Sequence, residues 1–285
     1  MLRFLRPALL IGLFFNLDAE SQAEQIEVAP QVNLYYEVQG EGEPLLFLPG
    51  WTLTSGIWRE QVTVFSKSRQ VWVLDPRSHG NSSKVLSGNS LAQQARDLDR
   101  FFLLNGLNQV TVVASSSAVA TMLEYVRQFG NQRLRGLVFV DGSPCLLRKD
   151  DWPVGLSLDQ TYEFLMNVEN DRVRTTDLFI QDLFLSERSG TELDWFLKES
   201  LRTPTTIATV LAYDYHMLDR RPLLSKIAIP TLIVAAESNR QTGELMQAQI
   251  PNAKLTVLEK LGRAPFLEDP TVFNELLEKF LTALP

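Results

Sequence analysis

The sequence predicts an α/β fold, with a mostly parallel central sheet, helices on both of its faces and a helical cap inserted over one end. Three observations carry that expectation. Short apolar runs such as PLLFL at 44–48 and VTVV at 110–113 have the near-continuous hydrophobicity of strands buried on both faces of a parallel sheet. These runs alternate with segments of helical period, the pattern of successive βα units. Between 145 and 221 the buried-strand runs stop, and helix formers, aromatics and charges take over, as in YEFLMNV, DLFIQDLFL and WFLKESL.

Each element has its own signal. At 25–39 two alternating runs, IEVA and VNLYYEV, flank Pro30-Gln31 and predict a hairpin at a sheet edge. Gly40-Glu41-Gly42-Glu43 turns the chain into the strand at 44–48, which is followed by Pro49-Gly50-Trp51 and a helix carrying Trp58. A strand at 70–74 runs into Asp75-Pro76-Arg77-Ser78-His79-Gly80-Asn81-Ser82. Residues 109–130 read as strand, tight turn and helix. Val110 to Val113 stop at Ala114-Ser115-Ser116-Ser117-Ala118, and Val119, Met122, Leu123 and Val126 mark a helix ending at Gly130. A strand at 134–140 closes on Asp141-Gly142-Ser143-Pro144, and strands resume at 229–234 and 255–258. A last helix over 272–284 places Phe273, Leu276, Leu277 and Phe280 on one face.

A length of 285 residues with 45% hydrophobic content suits one such domain with an insertion. The net charge of −7 argues against nucleic acid or an anionic membrane surface as partner, and leaves a small-molecule substrate or ligand. Cys145 is the single cysteine and His79 and His216 the two histidines, so neither an internal disulfide nor a metal cluster is expected. No nucleotide-binding loop or other sign of a cofactor is present. Arg3 and Arg6, an apolar stretch at 7–17 and Ser21-Gln22-Ala23 together predict a signal peptide over 1–23. That implies a secreted or periplasmic protein without a stable membrane anchor. The expected organisation is then a first part of the core at 24–144, the cap at 145–221 and the second part of the core at 222–285. Trp152, Tyr162, Phe164, Phe179, Phe184, Trp195 and Phe196 are expected to pack the cap on the core, some of them lining a pocket.

Ser116 occupies the apex of the turn at 114–118, where a side chain stands clear of the sheet and its neighbours two residues away must be small. The same serines could equally form a helix N-cap, with Ser115 or Ser116 bonding the first free N–H groups. The order of strand, PGW loop, helix with Trp58, strand, D-P-R-S-H-G-N-S, helix, strand and small-Ser-small turn resembles the α/β-hydrolase superfamily, in its esterase and perhydrolase-like branch. Alanine fills both glycine places of the usual G-x-S-x-G. The resemblance runs from about residue 26 to the end of the chain, excepting the cap.

That resemblance implies an α/β-hydrolase fold with Ser116 as nucleophile and the backbone N–H groups of Trp51 and Ser117 as oxyanion donors. It also exposes two departures. Ala236-Glu237-Ser238-Asn239 puts Asn239 where the family has an aspartate, and Leu261-Gly262-Arg263-Ala264-Pro265 puts Arg263 where it has the histidine base. Arginine stays protonated at any working pH, so it donates and never acts as a general base. His216 is the candidate replacement base, to be oriented by Asp214, Asp219 or Glu237, while His79 sits in a structural loop. Asp141 could supply the acid geometry. Arg263 would either favour an anionic ligand or pair with Glu268, Asp269 or Glu237. Two functions follow: an exported carboxylic-ester hydrolase acting through Ser116, or a catalytically silent protein binding a small anionic or apolar ligand.

Overall fold

The computed structural model describes residues 22–285 except residue 189. The expected signal segment therefore lies outside the described residues, apart from Gln22 and Ala23.

Polar alternation and continuous hydrophobicity sort the strands into edge and centre. Strands β1 (Gln22–Ala29) and β2 (Val32–Gln39) alternate and pair antiparallel, turning at Gln31, whose φ is 63°. The apolar strands β3 (Pro44–Leu48), β4 (Gln70–Leu74), β5 (Val110–Ser115), β6 (Leu134–Val140) and β7 (Thr231–Ala236) fill the middle, and β8 (Ala253–Leu258) forms the far edge. The eight-stranded order is β1-β2-β4-β3-β5-β6-β7-β8, and every pair from β4 onward is parallel. This is the expected sheet, with the hairpin at one edge.

Helices α1 (Arg59–Phe65), α2 (Leu91–Leu104) and α3 (Ser117–Phe129) belong to the first part of the core. Between β6 and β7 come α4 (Leu158–Asn170), α5 (Arg172–Gln181), α6 (Thr191–Ser200) and α7 (Thr205–Met217); then α8 (Arg240–Gln247), α9 (Pro265–Glu268) and α10 (Pro270–Thr282) complete the chain. The last helix begins two residues before its apolar pattern. Asp269 caps it by accepting from Val272 N at 3.1 Å, and Pro270 needs no amide partner in the first turn.

Successive side chains of β3 point to opposite faces. Leu46 and Leu48 join a core with Phe101 of α2 and Met122 of α3; Leu45 and Phe47 join one with Phe65 of α1 and Phe273 of α10. The inserted helices are tied down by Arg220, 2% exposed, which bridges Glu124 of α3 at 2.9 Å and Asp214 of α7 at 3.1 Å. Of the cap aromatics, Trp152, Phe184 and Phe196 are buried, whereas Tyr162 is 64% exposed and packs nothing on the core. Its position, one turn from Leu158 and Met166, places it on the solvent face of α4.

Candidate active site

Five parallel strands deliver the site from their carboxyl ends, where open α/β sheets bind ligands. β3 leads into Gly50-Trp51, β5 into Ser116, β6 into Asp141, β7 into Asn239 and β8 into the loop of Arg263. These side chains share a cavity of about 630 Å³ with Phe164 and Phe179 of the cap. Its apolar walls and few convergent polar groups suit a small organic ligand.

Ser116 has φ 52° and ψ −119° and makes no capping bond to α3, so the N-cap alternative is not realised. The turn is instead a strained elbow. A residue with a Cβ rarely adopts positive φ, and here close packing holds it there. Ser116 N donates to Val140 O at 2.9 Å. A Cβ added to Gly142 would stand 2.6 Å from Ser116 O, and one added to Gly50 would stand 2.9 Å from the Ser116 Cβ. Ala114 and Ala118 are buried to either side, as the small-residue rule requires.

Trp51 N–H and Ser117 N–H are the two donors expected for an oxyanion, and neither has a protein partner among the described residues. The Trp51 turn is fixed from outside. Trp51 Nε1 donates to Ala208 O at 2.9 Å, and Thr52, with φ 56°, donates its N–H to His79 Nε2 at 3.1 Å. His79 Nδ1 faces Arg77 O at 2.9 Å, so it is the protonated nitrogen and Nε2 the acceptor. Burial pulls the His79 pKa down to about 4 against the weaker pull of the Arg77 carbonyl. The histidine is structural, as its loop suggested, and the element it supports is the donor turn.

The positions where the resemblance leads one to expect a base and an acid carry a salt-bridge network. Arg263 Nε donates to Asp141 Oδ2 at 2.8 Å and Nη1 to Asp182 Oδ2 at 2.5 Å. Asn239 Nδ2 donates to the same Asp141 oxygen at 2.9 Å, and Ala236 N to Asp141 Oδ1 at 3.2 Å. Burial opposes the Arg263 charge, but Asp141 and Asp182 outweigh it and hold the pKa above its ordinary value. None of the three carboxylates expected to pair with Arg263 does so. Glu268 accepts from Gly262 N and Leu185 N, Asp269 caps α10, and Glu237 pairs with Arg240. The reason is geometric: β6 and the loop after β8 converge on the pocket, while those acids face along the surface.

His216 lines the same cavity, with Nδ1 2.7 Å from Ala212 O in the preceding helical turn. None of its expected orienting acids reaches it. Asp214 accepts from Leu91 N and pairs with Arg220, Asp219 pairs with Arg221 and Lys149, and Glu237 is taken by Arg240. The Ala212 carbonyl therefore sets the tautomer, leaving Nε2 as the lone-pair nitrogen. Burial, with Arg263 nearby, lowers the His216 pKa and keeps the ring neutral.

Sequence reasoning missed Tyr215. Its hydroxyl accepts from Ser143 N at 3.2 Å and stands beside the Ser116 hydroxyl, with its pKa raised by burial. A tyrosine next to a histidine in a helical run carries no distinguishing signal; only the placement of α7 over the elbow reveals it. Asp182 was missed for the same reason.

The family model described as "alpha/beta hydrolase fold" matches residues 43–270. The chain belongs to that family. Among relatives of this α/β hydrolase, the non-heme chloroperoxidase of Kitasatospora aureofaciens is 28% identical over 267 residues, covering 88% of this chain and 96% of the relative. The pimeloyl-[acyl-carrier protein] methyl ester esterase of Nitrosomonas europaea is 29% identical over 251 residues, covering 85% of this chain and 96% of the relative. A solved bromoperoxidase from Bacillus anthracis superposes with TM-score 0.87 at 25% identity, over 92% of this chain and all (100%) of that one. Among the described residues of this hydrolase-fold protein, no cluster of three His, Cys, Asp or Glu side chains could hold a metal ion. No described helix is long and apolar enough to cross a membrane.

Proposed function

We propose that the protein is an exported hydrolase of carboxylic esters that acts slowly, through Ser116. The observation that carries the reading is the strained elbow: Ser116 is held at positive φ on the floor of the cavity, beside two N–H donors that have no partner among the described residues. Strain of this kind has a local cost, and the surrounding contacts that enforce it hold Ser116 at the cavity wall, within reach of a carbonyl carbon bound there. Similarity to a methyl ester esterase agrees with ester chemistry. Export rests on the charged and apolar character of residues 1–17, which lie outside the described residues.

Attack by Ser116 Oγ needs an acceptor for its proton. Arg263 cannot serve, and the Asp141 oxygens are bonded to Arg263, Asn239 and Ala236. Asp182 is engaged by Arg263 as well. His216 Nε2 is then the uncommitted base among the described cavity residues, neutral at pH 7 through burial. Its orienting partner is a carbonyl and not a carboxylate, so the imidazolium formed in the transition state gains little stabilisation. Slow turnover follows from that weakness.

A second reading, a silent binding protein, is favoured by the Arg263–Asp141 pair in the base position. In that case the ligand is neutral and apolar: Arg263 is flanked by two carboxylates and offers no free cation to an anion. Both readings are separated by p-nitrophenyl butyrate hydrolysis measured on the mature protein, Ser116→Ala and His216→Ala. Turnover abolished by both substitutions supports the hydrolase; a rate equal to buffer alone for the natural protein leaves the binding reading.

A further inference from the structure

Arg172 is the first residue of α5, 9% exposed, and it breaks three physical rules at once. A buried guanidinium normally pairs with a carboxylate, yet none lies within salt-bridge distance of it among the described residues. It stands at a helix N-terminus, where the helix dipole repels a cation. Its Nε is buried with no hydrogen-bond partner. An apolar side chain of similar length would avoid all three costs, since replacing buried charge by packed hydrocarbon is often neutral or stabilising. Departures of this sort concentrate at functional sites.

What Arg172 touches identifies the function it serves. Its guanidinium lies over the Trp51 ring, 4.9 Å from the centroid. Nη2 donates to Ser200 O at 3.2 Å and Nη1 donates to Thr176 Oγ1. The Ser200 hydroxyl is 2.6 Å from Thr52 Oγ1, on the residue whose N–H is held by His79. The cation thus belongs to the buried wall behind the turn at 50–52, the turn that presents the Trp51 N–H. Burial lowers its pKa to about 10, which leaves it charged throughout the neutral range.

We propose that Arg172 is a positioning residue for the Ser116 site, a fixed cation that braces the Trp51 turn and favours negative charge developing on an oxygen held by Trp51 N–H and Ser117 N–H. The proposal rests on Ser116 being the nucleophile. It adds that the cap is part of the oxyanion machinery: α5 and α6 supply the cation and the Ser200 contact, so the donor turn is complete only with the cap in place.

The test uses two ligands of similar size on the mature protein, by titration calorimetry. Phenylboronic acid becomes a tetrahedral anion when it bonds a serine oxygen; benzyl alcohol stays neutral. The expected result is that Arg172→Met weakens boronate binding about tenfold or more, as loss of a nearby charge in a partly screened interior implies, and leaves benzyl alcohol binding unchanged. Arg172→Lys, which keeps the charge, should recover part of the loss. An equal loss for both ligands, or no loss for either, overturns the proposal. Should Arg172→Met not fold, Arg172→Gln carries the same comparison; failure of both to fold assigns Arg172 to the fold and also overturns it. Ser116→Ala tests the nucleophile independently of Arg172. Boronate binding unaffected by that substitution refutes the Ser116 reading itself, whatever Arg172 does.

Discussion

Replacing Arg263 by histidine should convert the salt-bridge network into a working catalytic triad, and Asp141 should be its acid. Asp141 Oδ2 already accepts a hydrogen bond at 2.8 Å from the side chain in the base position, and the carboxylate is 2% exposed. The fit is imperfect, because the arginine Nε is one bond further along its side chain than the imidazole Nδ1. The ring therefore falls short by about 1.5 Å, the length of a carbon–carbon bond, unless the loop at 261–264 moves inward. Loss of the histidine from a serine triad costs about 10⁶ in kcat. A misplacement of about 1 Å costs about 10². Those factors describe a site without a base, whereas His216 supplies a weak one in the natural protein, so Arg263→His should raise kcat/KM for p-nitrophenyl butyrate by at most about 10⁴, the quotient of the two. Adding Asp141→Asn should remove most of that gain. Adding Asn239→Asp should not increase it, since the new carboxylate would stand where Asn239 Nδ2 now meets Asp141 at 2.9 Å, and two like charges so close cannot both ionise easily. A gain that requires Asn239→Asp and ignores Asp141→Asn would refute the assignment of the acid.

Three further outcomes follow from the same geometry. The His79 pKa in the folded state is about 4, below its ordinary 6.5, so the unfolded chain takes up a proton first as the pH falls. Its contribution to stability is complete above pH 6.5 and declines towards pH 4, with about 2 kcal/mol gone between pH 7 and pH 5; urea unfolding should show this loss reduced in His79→Gln, with His216 adding a slope of the same sign. Gly142→Ala would force a Cβ to 2.3 Å from Val119 Cγ2 and 2.6 Å from Ser116 O, and should cost about 3 kcal/mol by denaturant titration. Tyr215→Phe leaves the buried Ser143 N–H without its acceptor and should cost about 1–2 kcal/mol; a stability unchanged by this substitution would show that the hydroxyl does not bear that bond.

The strands and the elbow were legible in the sequence because both are local. A run such as Val110 to Val113, ending in small residues around a serine, restricts its own backbone, and the motif order fixes where the parallel strands place their carboxyl ends. The absence of an imidazole at position 263 was legible for the same reason. What the guanidinium does there was not. Its partners are 122 and 81 residues away along the chain, one at the end of β6 and one in the cap, and no periodicity links such positions. Glu268, Asp269 and Glu237 were nearer in sequence, but Glu268 accepts from the Gly262 and Leu185 N–H groups, Asp269 caps the last helix and Glu237 pairs with Arg240. His216 shows the same limit: acids lay close by in sequence at 214 and 219, yet Arg220 and Arg221 claim them, and a backbone carbonyl one turn earlier orients the ring.

The claim on which everything else depends is that the hydroxyl of Ser116 reacts. It is tested most directly by exposing the mature protein to a fluorophosphonate and locating the adduct by peptide mass spectrometry. One adduct is expected, on Ser116, formed slowly in the natural protein and much faster in Arg263→His, and none in Ser116→Ala. An adduct on another residue, or labelling that persists in Ser116→Ala, would contradict it.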